Sequence, residues 1–314
     1  MSAKEIFRII FMGTPQFAVP ALKAVHESDF EVVAVITATD KFGGRGGKKL
    51  LQSAVKKYAV EQNIPVLQPK NLKSQEFIDK LASFEADLQL VVAFRMLPEV
   101  VWNMPPFGTV NLHASLLPKY RGAAPIHWAI INGEKETGLT TFKLKHEIDT
   151  GDLIDQLKLP IEYDDTMGSL AIKMSKKGAG LLLSSTEKLF DDQLELKSQN
   201  TQGEITQAPK IYFDDAKVRF NEPTEKVYNF IRGMHPFPVA WTKIDDKVVK
   251  LHQCSPIDTI TAKQAGTIRI HNDKLFIYTK NGAIRVKKMQ MEGKSKMKTE
   301  DWLNGYKIEK MSVN

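Results

Sequence analysis

The stretch TVNLHASLLPKYRGAAP, residues 109–125, begins as a strand and ends as a loop. Thr109 to His113 is short and partly β-branched, as a strand is. Pro118 and Gly122 then stop any continuation. Side chains two apart on a strand project to one face, so Asn111 and His113 project together. In open α/β sheets, ligands bind beyond the carboxyl ends of the strands. A polar pair at such an end is therefore a candidate site, provided that the neighbouring strands form such a sheet.

They read that way. FRIIFMG (7–13), EVVAVIT (31–37) and LQLVVAF (88–94) are apolar runs of strand length. Between them lie helical patterns: FAVPALKAVHES (17–28), SAVKKYAVEQN (53–63) and SQEFIDKLASFE (74–85). A longer helix is expected from about Met167 to Asp192, with Gly178 and Gly180 allowing close neighbours. Strand and helix in alternation predict a Rossmann-like α/β domain with a parallel sheet. From about residue 198 the chain is polar and aperiodic. One helix pattern, PTEKVYNFIRGM (223–234), follows, and then short strands in quick succession, with DD, ND and NG at their turns. That pattern predicts a small OB-like β-barrel. The division expected is a catalytic domain over 1–199, a linker over 200–217 and a barrel over 218–314.

Charge separates the two parts. Residues 208–314 hold 20 Lys and Arg against 12 Asp and Glu, a balance of +8, whereas the preceding 207 residues balance at −1. A basic domain on a neutral one suggests a polyanionic partner, although a Lys-rich solvated surface has the same composition. Cys254 is the only cysteine, so neither an internal disulfide nor a thiolate metal cluster is expected, which suits a reducing cytoplasm. The apolar run near the N-terminus is too short for a signal peptide, and no run reaches the length of a membrane span. Nothing calls for an oligomer, and a monomer is expected.

The strand end carries chemistry if a carboxylate joins it. Asp149 in HEIDTGDLI lies at the next polar strand end. His exchanges a proton near neutral pH, Asn can hold a carbonyl oxygen, and Asp can orient the imidazole. In isolation, an Asn capping a turn and a satisfied core His would look the same. The set has no nucleophile: there is no G-x-S-x-G turn, and Cys254 lies in the other domain. It therefore suits a substrate that brings its own, such as an amine attacking an activated acyl group. FMGTP (11–15) is not G-x-G-x-x-G, so no dinucleotide is expected, and GGRGGKK (43–49) lacks the Ser or Thr of a phosphate-binding loop. No metal-ligand spacing is present.

The segment NLHASLLPKYRGAAPIHWAIINGEKETGLTTFKLKHEIDTGDLI (111–154) resembles the signature of the folate-dependent formyltransferases, and IIFMGTPQFAVPAL (9–22) resembles their first βα unit. The resemblance covers the whole chain. Within the family it is closest to the members that act on methionyl-tRNA, through DKFGGRGGKKL (40–50), APKI (208–211) and the basic barrel with RGMHPFPVAW (232–241). It implies a formyltransferase domain with Asn111, His113 and Asp149 as the catalytic set. Ser115, Leu116, Leu117 and Pro118 are then the loop offering backbone groups to the cofactor, 10-formyltetrahydrofolate, with no metal. It also implies initiator methionyl-tRNA as partner, met by Arg45, Lys48 and Lys49 on a loop that orders on RNA. Lys210 in the linker is a further candidate phosphate contact. Lys119 and Arg121 face cofactor carboxylates, RNA phosphate or solvent. Arg95 departs from the family, where a glycine is common, in a segment that lines the folate pocket. Two other readings stay open: a formyltransferase acting on a ribonucleotide or amino sugar, and a non-enzymatic RNA-binding protein on the same scaffold.

Overall fold

The computed structural model describes residues 6–43, 47–190, 194–201, 205–258 and 264–313. They form two compact units. The first comprises Met1–Arg121, Gly138–Leu159 and Ala171–Gln207, and the second Gly122–Thr137, Pro160–Leu170 and Ala208–Asn314.

The first unit is built on β1 (Arg8–Gly13), β2 (Glu31–Ile36), a hairpin of β3 (Lys41–Gly43) and β4 (Lys49–Leu51), β5 (Val66–Leu67), β6 (Leu88–Val92), β7 (Thr109–His113), β8 (Glu136–Lys143) and β9 (Leu153–Pro160). Its main sheet has the order β5-β2-β1-β6-β7-β8-β9. The strands from β5 to β7 are parallel. β8 extends the sheet antiparallel to β7, opposing His113 to Thr140. The helices are α1 (Val19–His26), α2 (Ala54–Glu61), α3 (Gln75–Ala82) and the short α4 (Glu99–Trp102). Pro20 sits in the first turn of α1, where its missing N–H costs nothing. The Ser53 hydroxyl caps α2 by accepting from the Lys56 N–H at 3.0 Å. Phe77 and Leu81 of α3 pack with Ile10, Met12, Val33 and Ile36 of the sheet.

Two further helices are α5 (Pro125–Ile131) and α6 (Met167–Leu189). α6 lies close to β7 and β8: a Cβ on Gly178 would stand 2.9 Å from Leu112 and 3.5 Å from Leu139. Gly180 has nothing within 4 Å, so of the two glycines only Gly178 serves close packing.

The second unit carries α7 (Thr224–Gly233) and an antiparallel sheet of β10 (Trp241–Ile244), β11 (Lys247–Ile257), β12 (Ile268–His271), β13 (Lys274–Tyr278), β14 (Ala283–Met291) and β15 (Met297–Lys298), followed by α8 (Thr299–Gly305). The order is β10-β11-β14-β13-β12, with β15 on β14. The DD and ND turns have both residues at positive φ, 49° and 61° for Asp245 and Asp246 and 48° and 55° for Asn272 and Asp273. Tight hairpins require this conformation, and Asn and Asp tolerate it best. Val313 bridges to Ile244 of β10 and donates its N–H to the Gly266 carbonyl at 2.9 Å, while Met311 accepts from Ile268 of β12 at 2.8 Å. The end strands are thus joined through residues 311–313, which gives the sheet its barrel-like closure.

The expected contiguous division meets interleaved units. Residues 122–137 and 160–170 group with the barrel, against which they pack and hydrogen-bond. Gly233 lets α5 lie against α7, since a Cβ would stand 2.7 Å from Ile131. The buried Arg232 donates to the Asp165 carbonyl and to Asn229 Oδ1, both at 2.8 Å. The stretch read as linker is ordered where described: Thr206 accepts from the Arg121 N–H at 3.2 Å, and Ala208 from that of Ala124 at 3.1 Å.

Candidate active site

Gly13 pairs with Val92, and Val92 with Leu112, so the carboxyl ends of β1, β6 and β7 lie level. A Cβ at Gly13 would stand 2.9 Å from Ala18 and 3.0 Å from the Val92 carbonyl oxygen, so glycine is needed for the close strand-to-helix turn. At this edge Asn111 is half-buried and His113 buried.

The imidazole is held on one side by backbone. His113 Nε2 lies 2.9 Å from the Tyr120 carbonyl oxygen. A carbonyl only accepts, so Nε2 carries a proton and donates. In the neutral ring Nδ1 is then the basic nitrogen. Asp149 Oδ2 stands 3.7 Å from it, in ion-pair range for a protonated ring but too far for a direct hydrogen bond. Tyr120, whose backbone lies at φ 60°, thus fixes the imidazole from its Nε2 side, with Asp149 facing the other nitrogen. Asp149 itself has φ 53°, in the turn between β8 and β9. Gly151 follows, where a Cβ would fall 1.7 Å from the Lys143 carbonyl oxygen.

The loop after His113 spends most of its polar groups internally. Thr140 Oγ donates to the Ser115 carbonyl at 2.7 Å and accepts from the Leu117 N–H at 3.1 Å. Gln156 Nε2 donates to the Leu117 carbonyl at 2.9 Å, and the Ser115 hydroxyl to that of Lys119 at 2.6 Å. Ser115 and Leu117 are buried, while Leu116 and Pro118 are half-buried. Of residues 115–118, only Leu116 and Pro118 thus keep exposed surface. The Arg121 guanidinium, open to several partners in the sequence, donates to Gln199 Oε1 at 2.6 Å.

Arg95 donates to the carbonyls of Pro69 and Lys70, tying the loop after β6 to that after β5. The hairpin carrying the basic insert is anchored nearby in sequence. Asp40 accepts from Lys56 at 2.5 Å and from Gln68 at 2.8 Å, and the hydrogen-bonded Lys56 holds the carboxyl of Asp40 below its ordinary value. The basic insert, read as a flexible loop, has paired flanks: Phe42 faces Leu50 and Gly43 faces Lys49. Lys48 and Lys49 are exposed, and Arg45 lies outside the described residues. Lys210 belongs to the other unit, exposed, with its ammonium 5.0 Å from the Tyr212 ring centre. The structure therefore brings Asn111, His113, Asp149 and residues 115–118 to one edge, with Lys48 and Lys49 on a hairpin of the same unit. Tyr120, Thr140, Gln156 and Gln199 support that edge and were not singled out in the sequence. Thr140 alone had a signal, as a polar residue on the strand beside His113.

Burial pushes the Cys254 thiol up to about 12, so it supplies no thiolate. Among the described residues no group of three or more His, Cys, Asp or Glu is arranged to hold a metal, and no helix is long and apolar enough to cross a membrane.

Two family models match: Formyl transferase over residues 7–186, and Formyl transferase, C-terminal domain, over 210–307. The chain belongs to the formyl transferase family. It is 45% identical to the methionyl-tRNA formyltransferase of Bacteroides thetaiotaomicron, over 97% of each chain. Among solved structures it is similar to HypX from Aquifex aeolicus in complex with tetrahydrofolic acid, with a TM-score of 0.64, 18% identity and coverage of 95% of this chain. It spans about half the length of HypX, 47%. It is also similar to an N-formyltransferase from Helicobacter canadensis in complex with folinic acid and dTDP-3-aminofucose, with a TM-score of 0.65, 20% identity and coverage of 90% and 98%. At such identities the two structures establish a shared formyl transferase fold and nothing about the acceptor.

Proposed function

We propose that the chain transfers the formyl group of 10-formyltetrahydrofolate to the α-amine of initiator methionyl-tRNA, in the cytoplasm and as a monomer. The observation that carries the reading is the His113–Asp149 pair at the sheet edge, in a chain 45% identical over nearly its full length to a methionyl-tRNA formyltransferase. The amine nitrogen attacks the formyl carbon, and Asn111 holds the formyl oxygen as it gains charge. The amine proton passes to His113 Nδ1, because Nε2–H is committed to the Tyr120 carbonyl. Asp149 faces the imidazolium so formed. The proton then moves to N10 of the folate as the carbon–N10 bond breaks, which leaves the ring as it began. Leu116 and Pro118 meet the folate. Lys48, Lys49, Arg45 and Lys210 meet RNA, together with the +8 balance of residues 208–314.

The test is competition among acceptors. With labelled formyl-folate, label is expected on methionyl-tRNA and not on a ribonucleotide or an amino sugar. Label on either small molecule alone would replace the reading, and label on nothing would favour a binding protein.

Arg45 distinguishes positioning from simple charge. Arg45→Ala is expected to lower kcat and raise KM, because misplacing the amine by about 1 Å costs on the order of 100-fold. Arg45→Lys is expected to recover little, since an ammonium lacks the planar five-donor fork. A mere phosphate contact would behave otherwise: Lys would substitute, and the salt slope of Ala would fall by about one. Kinetics of both variants across a salt series decide the matter.

A further inference from the structure

We infer that Gln199 is a positioning residue for the reaction, fixing the turn that carries Asp149 against the loop that holds His113. This rests on the formyl-transfer reading above. Gln199 Nε2 donates to the carbonyls of Asp149 and Gly151, both at 2.9 Å, and its Oε1 accepts from Arg121 Nη2 at 2.6 Å. Both amide protons are thereby used on one turn and the amide oxygen on the other loop.

These bonds close a circuit around the reacting pair. His113 Nε2–H binds the Tyr120 carbonyl, Tyr120 is followed by Arg121, Arg121 binds Gln199, and Gln199 binds the backbone of Asp149. The carboxylate then stands 3.7 Å from His113 Nδ1. Asp149 adopts φ 53°, a left-handed conformation that Asp tolerates better than most residues, and the two bonds from Gln199 hold the turn in it. The segment bearing Gln199 is itself placed by backbone: Leu153 and Lys197 exchange hydrogen bonds at 2.7 and 3.0 Å, and Thr206 binds the Arg121 N–H. Gln199 is half-buried, whereas residues 195–198 and 200 are exposed. Its side-chain hydrogen bonds go to Arg121, Asp149 and Gly151 and none to the imidazole, so its effect on chemistry passes through Asp149.

Gln199→Glu tests this with little change of shape. The carboxylate still accepts from Arg121 but cannot donate to the two carbonyls, and it sets like partial charges against them. With the full-length protein, kcat for methionyl-tRNA is expected to fall roughly 10- to 100-fold, with KM for tRNA close to wild type and the melting temperature lower by only a few degrees. In an Asp149→Asn background the same substitution is expected to cost almost nothing further, because the residue it acts through is already lost. A wild-type kcat in Gln199→Glu, or an equal loss with and without the Asp149 carboxylate, would overturn the inference. If the Glu variant does not fold, Gln199→Asn is uncharged and one methylene too short to span both loops, and it is put through the same cycle with the same criteria. Failure of the formyl-transfer reading looks different: wild type itself would then leave methionyl-tRNA unformylated.

Discussion

His113→Ala is expected to lower kcat by about 10²- to 10⁴-fold, the range for removal of a general acid–base group, while methionyl-tRNA binds almost as tightly as to wild type. His113 is 6% exposed, and its Nε2 is committed to the Tyr120 carbonyl, so only Nδ1 is open to a proton from the amine. Alanine leaves no titratable group at that point. Water entering the space would accept protons without the fixed direction that the Tyr120 bond gives the ring. Asp149→Asn is expected to do damage of similar kind, because an imidazolium formed 3.7 Å from an amide would lack the compensating charge. Binding of tRNA is expected to be spared, since neither residue belongs to the hairpin or the basic unit proposed to meet RNA. Steady-state kinetics with a separate tRNA-binding measurement check both points. Retention of more than half of wild-type kcat by either variant would remove it from the reaction.

Gly151→Ala is the second large effect. The added methyl falls 1.7 Å from the Lys143 carbonyl oxygen, 2.8 Å from its carbon and 2.9 Å from the Phe142 ring. The nearest atoms are backbone at the end of β8, so no side-chain rotation relieves the overlap. The turn must move as a whole, and the Lys143 N–H bond to the Asp152 carbonyl at 3.0 Å moves with it. Overpacking of this kind costs about 1–3 kcal/mol, more when backbone is the obstacle. Asp149 lies two residues away, so kcat is expected to fall at least about 10-fold alongside a lower melting temperature. Gly180→Ala is the matched control. Nothing lies within 4 Å of that site in α6, and alanine there is expected to stabilise the helix by up to about 1 kcal/mol. A Gly151→Ala protein as stable and active as wild type would show that the turn yields freely.

Local pattern accounts for much of the fold. Apolar runs such as Leu88–Val92 gave away the buried strands, and the helical pattern of residues 53–63 begins at Ser53, whose cap acts within three residues. The DD and ND pairs marked hairpins because their conformation is set within the pair itself. What stayed hidden depends on distant partners. Seven residues of α5 look like any short apolar run until Gly233, a hundred residues on, opens a groove for them. Gln199 stands in a polar, aperiodic stretch, and its partners lie 78, 50 and 48 residues back. The site divides in the same way. Asn111 and His113 share a strand and were legible from spacing alone. Asp149 came from its place at the next polar strand end, reinforced by family resemblance. The Tyr120 carbonyl had no side-chain signature to read, and the internal use of Ser115 and Leu117 follows from Thr140 across the sheet.

The bridges made by residues 311–313 bear on behaviour in concentrated solution. Exposed rows of unpaired N–H and C=O groups are templates on which a second chain can add a strand. Here one short segment covers part of two such rows at once, at Ile244 and at Gly266–Ile268. Residues 311–313 thereby occupy backbone groups that would otherwise be open to pairing with a second copy. A chain shortened by its last four residues would keep every group of the candidate active site and still present two sticky margins to its own copies.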